Sequence, residues 1–409
     1  MVGIRRYTRS TAVLFLSVFV LAALVVGSAC GDDDDDDQTE PETTEQATEP
    51  TEGEEVAEET VGEEAPTEEA TAEETATEVT SADFDEEAVA EFYSGKTVTI
   101  LVGFTAGGGF DLEARLIAEH LGQYIPGNPT VIVENMPGAG SLVAWNHLAN
   151  AAPSDGTVIG YSNGAQILQQ ALGNTAVEFD AQEMQYLGTI VQSQFIMVAT
   201  SASGIESFDQ ILPPESQEIT TGGSAPGSGD VDHAVIMQEA LGASINLITG
   251  YDGVSPIVLA MDSGEVEGTM VTLNSARSAY ADQFANDWTT LVALAAEPFE
   301  DLPDVPAILD FATDEFAEQV ITAGSIQPQQ FNRPLVVASG VPEDRVLALS
   351  RALEQMLLDE EFLAFAEGAG TDVDPLSAEE LRTIVDNFIE TLATSEDVRV
   401  RLQELLLSS

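Results

Sequence analysis

Residues 97–111 read Thr97-Val98-Thr99-Ile100-Leu101-Val102-Gly103-Phe104-Thr105-Ala106-Gly107-Gly108-Gly109-Phe110-Asp111. The first six, apolar and β-branched, predict a buried strand, and the glycine run predicts a tight turn. A helix is expected from Phe110 to Tyr124, because Leu112, Leu116, Ala118 and Leu121 share one stripe. Strand, turn and helix together form the repeating half-unit of an α/β sheet. The unit recurs downstream: strand 130–134, glycine turn 135–141 and helix 142–150, then strand 157–161 with Asn163 in the turn that opens the next helix. Further strands are expected at 195–199, 218–221, 246–249, 267–272 and 291–294, with a glycine loop at 222–230 and a helix at 231–241. Beyond Pro342 the pattern is helical, over 345–358, 360–366 and 378–392. The expectation is an α/β architecture with largely parallel sheets.

Charge is distributed unevenly around this frame. The chain has 409 residues and a formal net charge of −60. Residues 31–90 contain 26 acids and no base, which leaves 46 acids against 9 bases, a net of −37, from residue 91 onward. Such a surface excludes nucleic acid as a partner, since phosphate binding needs basic patches, and excludes electrostatic docking on anionic lipid. The single cysteine excludes an intrachain disulfide framework and a cysteine-rich zinc site.

The N-terminus reads as a targeting segment over residues 1–30. Arg5, Arg6 and Arg9 precede an apolar run from Thr11 to Val26, then Gly27-Ser28-Ala29 and Cys30. The run is short for a membrane span. It resembles a bacterial lipoprotein signal, which implies lipidation at Cys30, an extracytoplasmic location and a lipid anchor on the outer face of the cell membrane. Residues 31–83, opening with Asp32 to Asp37, are too polar and too charged to bury a core and are expected to form a disordered acidic tether.

Chemistry is expected at the glycine turns. The loops 103–111, 135–141 and 222–230 each connect a strand to a helix N-terminus, where unpaired amides and the helix dipole favour an anion. No Gly-Lys-Ser/Thr follows Gly107-Gly108-Gly109, so this is not a phosphate loop, and no G-x-G-x-x-G spacing marks a dinucleotide fingerprint. His120, His147 and His233 lie far apart and make no metal pair at helical spacing. Neither Ser141 nor Ser224 sits in a nucleophile elbow. The residues thus supply binding geometry without a catalytic constellation, and no cofactor or metal is expected. The anion would be held by main-chain amides, without lysine or arginine.

At these turns the chain resembles the tripartite tricarboxylate transporter solute receptors, the Bug family. The resemblance rests on Val102–Asp111 with Ala114-Arg115-Leu116, on Val133–Gly140, Ala151–Thr157, Gly223–His233, Tyr251-Asp252-Gly253 and Leu302–Pro306, in the family's order. It implies a type II periplasmic-binding-protein-like fold, with two α/β domains and a ligand cleft between them. The first domain would comprise residues 84–200, the second 201–320, and the chain would return to the first over 321–409. The implied function is that of a monomeric receptor delivering a small organic carboxylate to integral membrane transporter subunits. A ligand-sensing subunit of a signalling system and an enzyme on the same frame are the alternatives. The implied ligand-binding residues are Phe104, Thr105, Gly107, Gly108, Asp111, Asn163, Ser224, Ser228 and Tyr251. Gly103, Met136 and Asp252 depart from the family's usual proline, arginine and lysine, which leaves the ligand open among dicarboxylates, tricarboxylates, amino acids and aromatic acids.

Overall fold

In the computed structural model, which describes residues 84–407, two mixed sheets share one chain. The expected signal segment, Cys30 and the tether lie outside the described residues. The strands are β1 (Thr97–Val102), β2 (Thr130–Asn135), β3 (Val158–Tyr161), β4 (Gln185–Thr189), β5 (Phe195–Thr200), β6 (Ile219–Gly223), β7 (Ile245–Thr249), β8 (Gly268–Thr272), β9 (Trp288–Ala293), β10 (Leu335–Val337) and β11 (Leu376–Ser377). The first sheet has the order β11-β4-β10-β3-β1-β2 and the second β7-β6-β8-β5-β9.

Thirteen α-helices cover these sheets among the described residues: α1 (Glu86–Tyr93), α2 (Gly109–Leu121), α3 (Leu142–Asn150), α4 (Gln166–Ala171), α5 (Gly229–Leu241), α6 (Val254–Ser263), α7 (Leu273–Ser278), α8 (Ala281–Asn286), α9 (Glu315–Ile321), α10 (Glu343–Leu357), α11 (Glu360–Gly368), α12 (Ala378–Thr394) and α13 (Glu396–Leu406). Of the stripe expected for helix α2, Leu116 and Leu121 are buried with Ala114 and Ile117, while Leu112 is exposed. Helix α2 ends at Leu121, short of the expected Tyr124. Its partner across the molecule, α5, is buried on nearly all sides, including Asp230, Asp232 and His233.

The sheets are less parallel than expected. β1 pairs in parallel with β2 and β3, and β6 with β7 and β8, as strand–helix–strand units require. In contrast, β10 runs antiparallel to β3 and β4, and β5 antiparallel to β8 and β9. Strands β5 and β10 are the two that receive the chain from the other lobe, and a strand entering without a crossover helix is free to run in the opposite direction.

The boundaries also shift. β5 belongs to the second sheet, so the chain leaves the first lobe between Thr189 and Phe195 instead of at residue 200. At the other end, α9 and α13 pack on α5 of the second lobe, while α12 packs on β4 of the first. The C-terminal helices therefore brace both lobes. Their side chains Leu381, Val385, Phe388 and Leu402 enter one apolar cluster that runs from Trp145 to Met237.

The two crossings lie side by side and are stitched together by buried polar groups. The Phe195 amide donates to Gln329 Oε1 (2.8 Å), and Gln329 Nε2 donates to the carbonyls of Leu294 (2.6 Å) and Ser325 (2.8 Å). Asn332 Nδ2 donates to Ser193 Oγ (2.9 Å). Both polar atoms of Gln329's side-chain amide are thus used, tying the second crossing to the start of β5 and the residue after β9.

Candidate ligand site

The loop after β1 is shaped by contacts that exclude a side chain. A Cβ on Gly103 would lie 2.2 Å from Ser141 Cβ, so the first two glycine turns can touch only because this position is glycine. The loop is then fastened by Asp111. Its carboxylate accepts the Gly107 amide (2.9 Å), Arg115 Nε and Nη2 (2.9 Å each) and Asn135 Nδ2 (3.0 Å). Burial alone would raise this carboxyl, but Arg115, the Gly107 amide and Asn135 outweigh it and hold it below the usual carboxylate range.

The loop after β6 is built in the same way with a different outcome. Asp230 accepts the Ser224 amide (3.0 Å) and the hydroxyls of Ser224 and Ser228. Asp232 accepts the Gly227 amide (2.9 Å) and Gln169 Nε2 (3.3 Å). Among the described residues neither carboxylate has a cation beside it. Burial therefore dominates, raising Asp230 above the usual range and pushing Asp232 up to about 7.

Each loop reaches a turn of the other lobe. Asn163 Nδ2 and Gln166 Nε2, both from the turn and helix after β3, donate to the Gly227 carbonyl (2.7 and 3.0 Å). Thr105 Oγ1 donates to the Asp252 carbonyl (3.0 Å). Between them lies a crevice of about 550 Å³, its mouth included. Gly108 of the first lobe and Ser224 of the second both line it. Its walls are chiefly apolar, from Phe104, Phe110, Phe195, Val254 and Met270.

A cation that the sequence reading did not place there also lies in this wall. Arg333, at the second crossing, is buried, and its guanidinium lies 4.2 Å from the centre of the Phe110 ring. Nη1 donates to Glu113 Oε2, and Nη2 donates to Thr272 Oγ1 (2.9 Å) and Ser275 Oγ (3.0 Å) of the second lobe. The Tyr161 hydroxyl donates to the same Glu113 oxygen, and burial together with Glu113 pushes that phenol well above its ordinary value.

Of the residues named from sequence, Phe104, Thr105, Gly108, Asn163, Ser224 and Ser228 line the crevice. Gly107 and Asp111 bond to each other beneath the loop and are not part of that lining, so Asp111 positions the loop. Tyr251 lines a neighbouring recess of about 390 Å³ beside Gly138–Ser141, and its hydroxyl donates to Glu265 (3.0 Å). The crevice residues that sequence reasoning missed include Asp230, Phe110, Phe195, Ser275 and Arg333, with Glu113 behind Arg333. The available signal was Arg333 itself, a rare base set just before the apolar run Leu335–Val337.

Residues 113–338 match the family model described as the tripartite tricarboxylate transporter family receptor. The chain belongs to this receptor family. Among curated relatives, a UPF0065 protein of Agrobacterium vitis is 25% identical over 228 residues, covering 55% of this chain and 64% of the relative. The protein BugT of Bordetella pertussis is 23% identical over 235 residues, covering 56% and 69%. The chain thus spans a little under two thirds of the Agrobacterium relative. Among solved structures, the periplasmic binding protein BugD superposes with a TM-score of 0.62 at 19% identity, covering 75% of this chain and 98% of its own. A Rhodopseudomonas palustris protein with adipate gives 0.59 at 19% identity, covering 76% and 98%. MatC of the same species, with bound malate, gives 0.58 at 19% identity, covering 74% and 99%. These likenesses show that the receptor family's two-lobed binding-protein fold is the fold of residues 84–407.

Proposed function

We propose that this receptor captures a small organic acid outside the cytoplasm and delivers it to a tripartite tricarboxylate-type membrane transporter, tethered to the membrane by lipid on Cys30. The observation that carries this reading is the convergence of Gly108 and Ser224, from different lobes, on one crevice. A small molecule held there touches both lobes and therefore stabilises the closed arrangement over the open one. The solved relatives with adipate and malate support a carboxylate as the ligand class. The apolar wall suits a short carbon chain or ring, and the crevice-lining Gly108 and Ser224 supply polar main-chain groups to orient it.

Calorimetric titration of the purified full chain with adipate, malate, citrate, L-phenylalanine, L-leucine and 3-phenylpropanoate tests the reading. Saturable binding of at least one compound is expected; absence of binding throughout the panel would refute it. The anchor is tested separately: Cys30→Ser is expected to move the protein from the membrane to the soluble fraction of cells that express it.

A further inference from the structure

The second lobe has almost no positive charge of its own. Residues 195–329 contain 21 acids and a single base, Arg277. The first-lobe stretch 84–189 is acidic as well, with 12 acids and two bases. Closing two such lobes over a ligand sets like charge against like charge, a cost that salt screens.

Arg277 sits where that cost is met. It lies in α7, two residues after Ser275, which lines the crevice. One atom, Nη1, donates both to Asp301 (2.9 Å) and to Asp372 (3.1 Å). These two acceptors belong to different lobes. Asp301 follows β9 and precedes Leu302, which packs on the apolar cluster of the second lobe, so it travels with Arg277. Asp372 follows α11 and precedes Val373, which packs on the core of the first lobe. There the Asp374 amide donates to the Ile190 carbonyl (3.0 Å).

The backbone delivers Asp372 to this spot. Gly370 has a φ of +75°, and a Cβ on it would lie 3.1 Å from the Arg277 carbonyl oxygen. The loop after α11 therefore turns directly against the end of α7, an approach that glycine permits. A lone exposed ion pair contributes little, but an arginine shared by two carboxylates, within a field of one sign, forms a network.

We infer that Arg277 is a latch between the lobes: Asp301 holds the guanidinium in place throughout, and the pairing with Asp372 forms on closure. Ionic strength then sets how firmly the receptor stays shut. The inference concerns closure and not the choice of ligand, and it rests on the hinge motion that the receptor reading supposes.

Pulsed electron-spin resonance on the purified full chain carrying Cys30→Ser tests it, with spin labels on Gln123→Cys and Ser263→Cys. Both positions are exposed, and they lie at the ends of α2 and α6 remote from the crevice, so their separation grows as the lobes part. At about 20 mM salt, where screening is weak, Arg277→Gln is expected to raise the ratio of open to closed receptor ~3-fold. Asp372→Asn is expected to do the same, Asp301→Asn distinctly less, and the Arg277→Gln, Asp372→Asn double variant no more than either alone. At about 1 M salt the differences are expected to vanish. Asp372→Asn supplies the same reading should Arg277→Gln not fold. Distances unchanged by either substitution at low salt overturn the inference, as does an equal shift from Asp301→Asn. Either result leaves the receptor reading standing, because calorimetric titration tests that reading independently.

Discussion

Glu113 and Arg333, 220 residues apart in the chain, form a buried ion pair at the base of the interlobe crevice. Glu113 rises from α2 in the first lobe and Arg333 leaves the second crossing, while Thr272 and Ser275 of the second lobe hold the far side of the guanidinium. Glu113→Gln keeps the shape and the Tyr161 contact but leaves a buried guanidinium without its counter-charge. Removing one partner of such a pair costs about 3 kcal/mol, and denaturant titration is expected to show a loss of that order. The same variant frees Arg333, so adipate affinity rises relative to the wild type. An unchanged adipate titration would argue that Arg333 does not face the ligand.

Closure of the lobes depends on Gly109. A Cβ there would lie 1.9 Å from Ser275 Oγ and 2.8 Å from Ser275 Cβ, across the interface between α2 and α7. Overpacking of this kind costs about 1–3 kcal/mol, and it falls on the closed state, because Gly109 and Ser275 are carried by different lobes. Gly109→Ala is therefore expected to weaken ligand binding by ~10-fold or more while leaving the unfolding midpoint of the empty protein nearly unchanged. Adding Ser275→Gly relieves the clash and is expected to restore most of the affinity.

Asp111 gives an acid-limb signature. Its folded carboxyl lies below the usual range, so its contribution to stability is complete above the unfolded value near ~4 and is lost as pH falls through the lower folded value. Asp111→Asn leaves the Gly107 amide without a charged acceptor and is expected to cost about 1–3 kcal/mol at neutral pH. Arg115 is half exposed, so its share of that loss is small. Denaturation curves of variant and wild type are expected to converge below about pH 4.

Asp232 acts in the opposite direction. Burial raises its carboxyl to about 7, with Gly227 and Gln169 opposing and Asp230 adding to the rise. The folded protein then holds a proton that the unfolded chain has released, so stability falls as pH increases from about 4 to about 7 and is level above. Asp232→Asn removes this group from the titration. The variant is expected to lose up to about 1 kcal/mol per pH unit of the wild-type slope between pH ~5 and ~7. Equal slopes in both proteins would mean that Asp232 is not buried in solution.

The hinge supplies a last test. Gln329→Ala removes the amide that binds Phe195, Leu294 and Ser325 and leaves buried main-chain groups unpaired. A loss of about 2 kcal/mol or more is expected by denaturant titration, together with increased amide exchange at residues 190–195.

Local pattern was sufficient for much of this molecule. The strand-turn-helix units at residues 97–121 and 219–241 are legible because burial of one face imposes a period on the chain and because turns at strand ends need glycine. The family resemblance carried by these turns named six of the residues that line the crevice. Strands β4 and β10 escaped notice. β10 has three residues, too few to display a period, and its pairing comes from two strands some 150 or more positions earlier. Helix α13 escaped because its polar first turn resembles a loop until α5 and α9 cover its apolar side.

By itself the sequence determined the α/β class, the family and the glycine turns, since these depend on neighbours within about one helical turn or on motifs in fixed order. Only the tertiary structure decided what fills those turns. Asp111 and Asp230 both lie in the first turn of the helix that follows their loop, yet one meets an arginine and the other only an amide and two hydroxyls. Likewise, nothing near residue 333 in the chain shows that its charge will meet Glu113. Electrostatic environment is set by distance in space and by exclusion of water, and both are fixed only when the lobes close on each other.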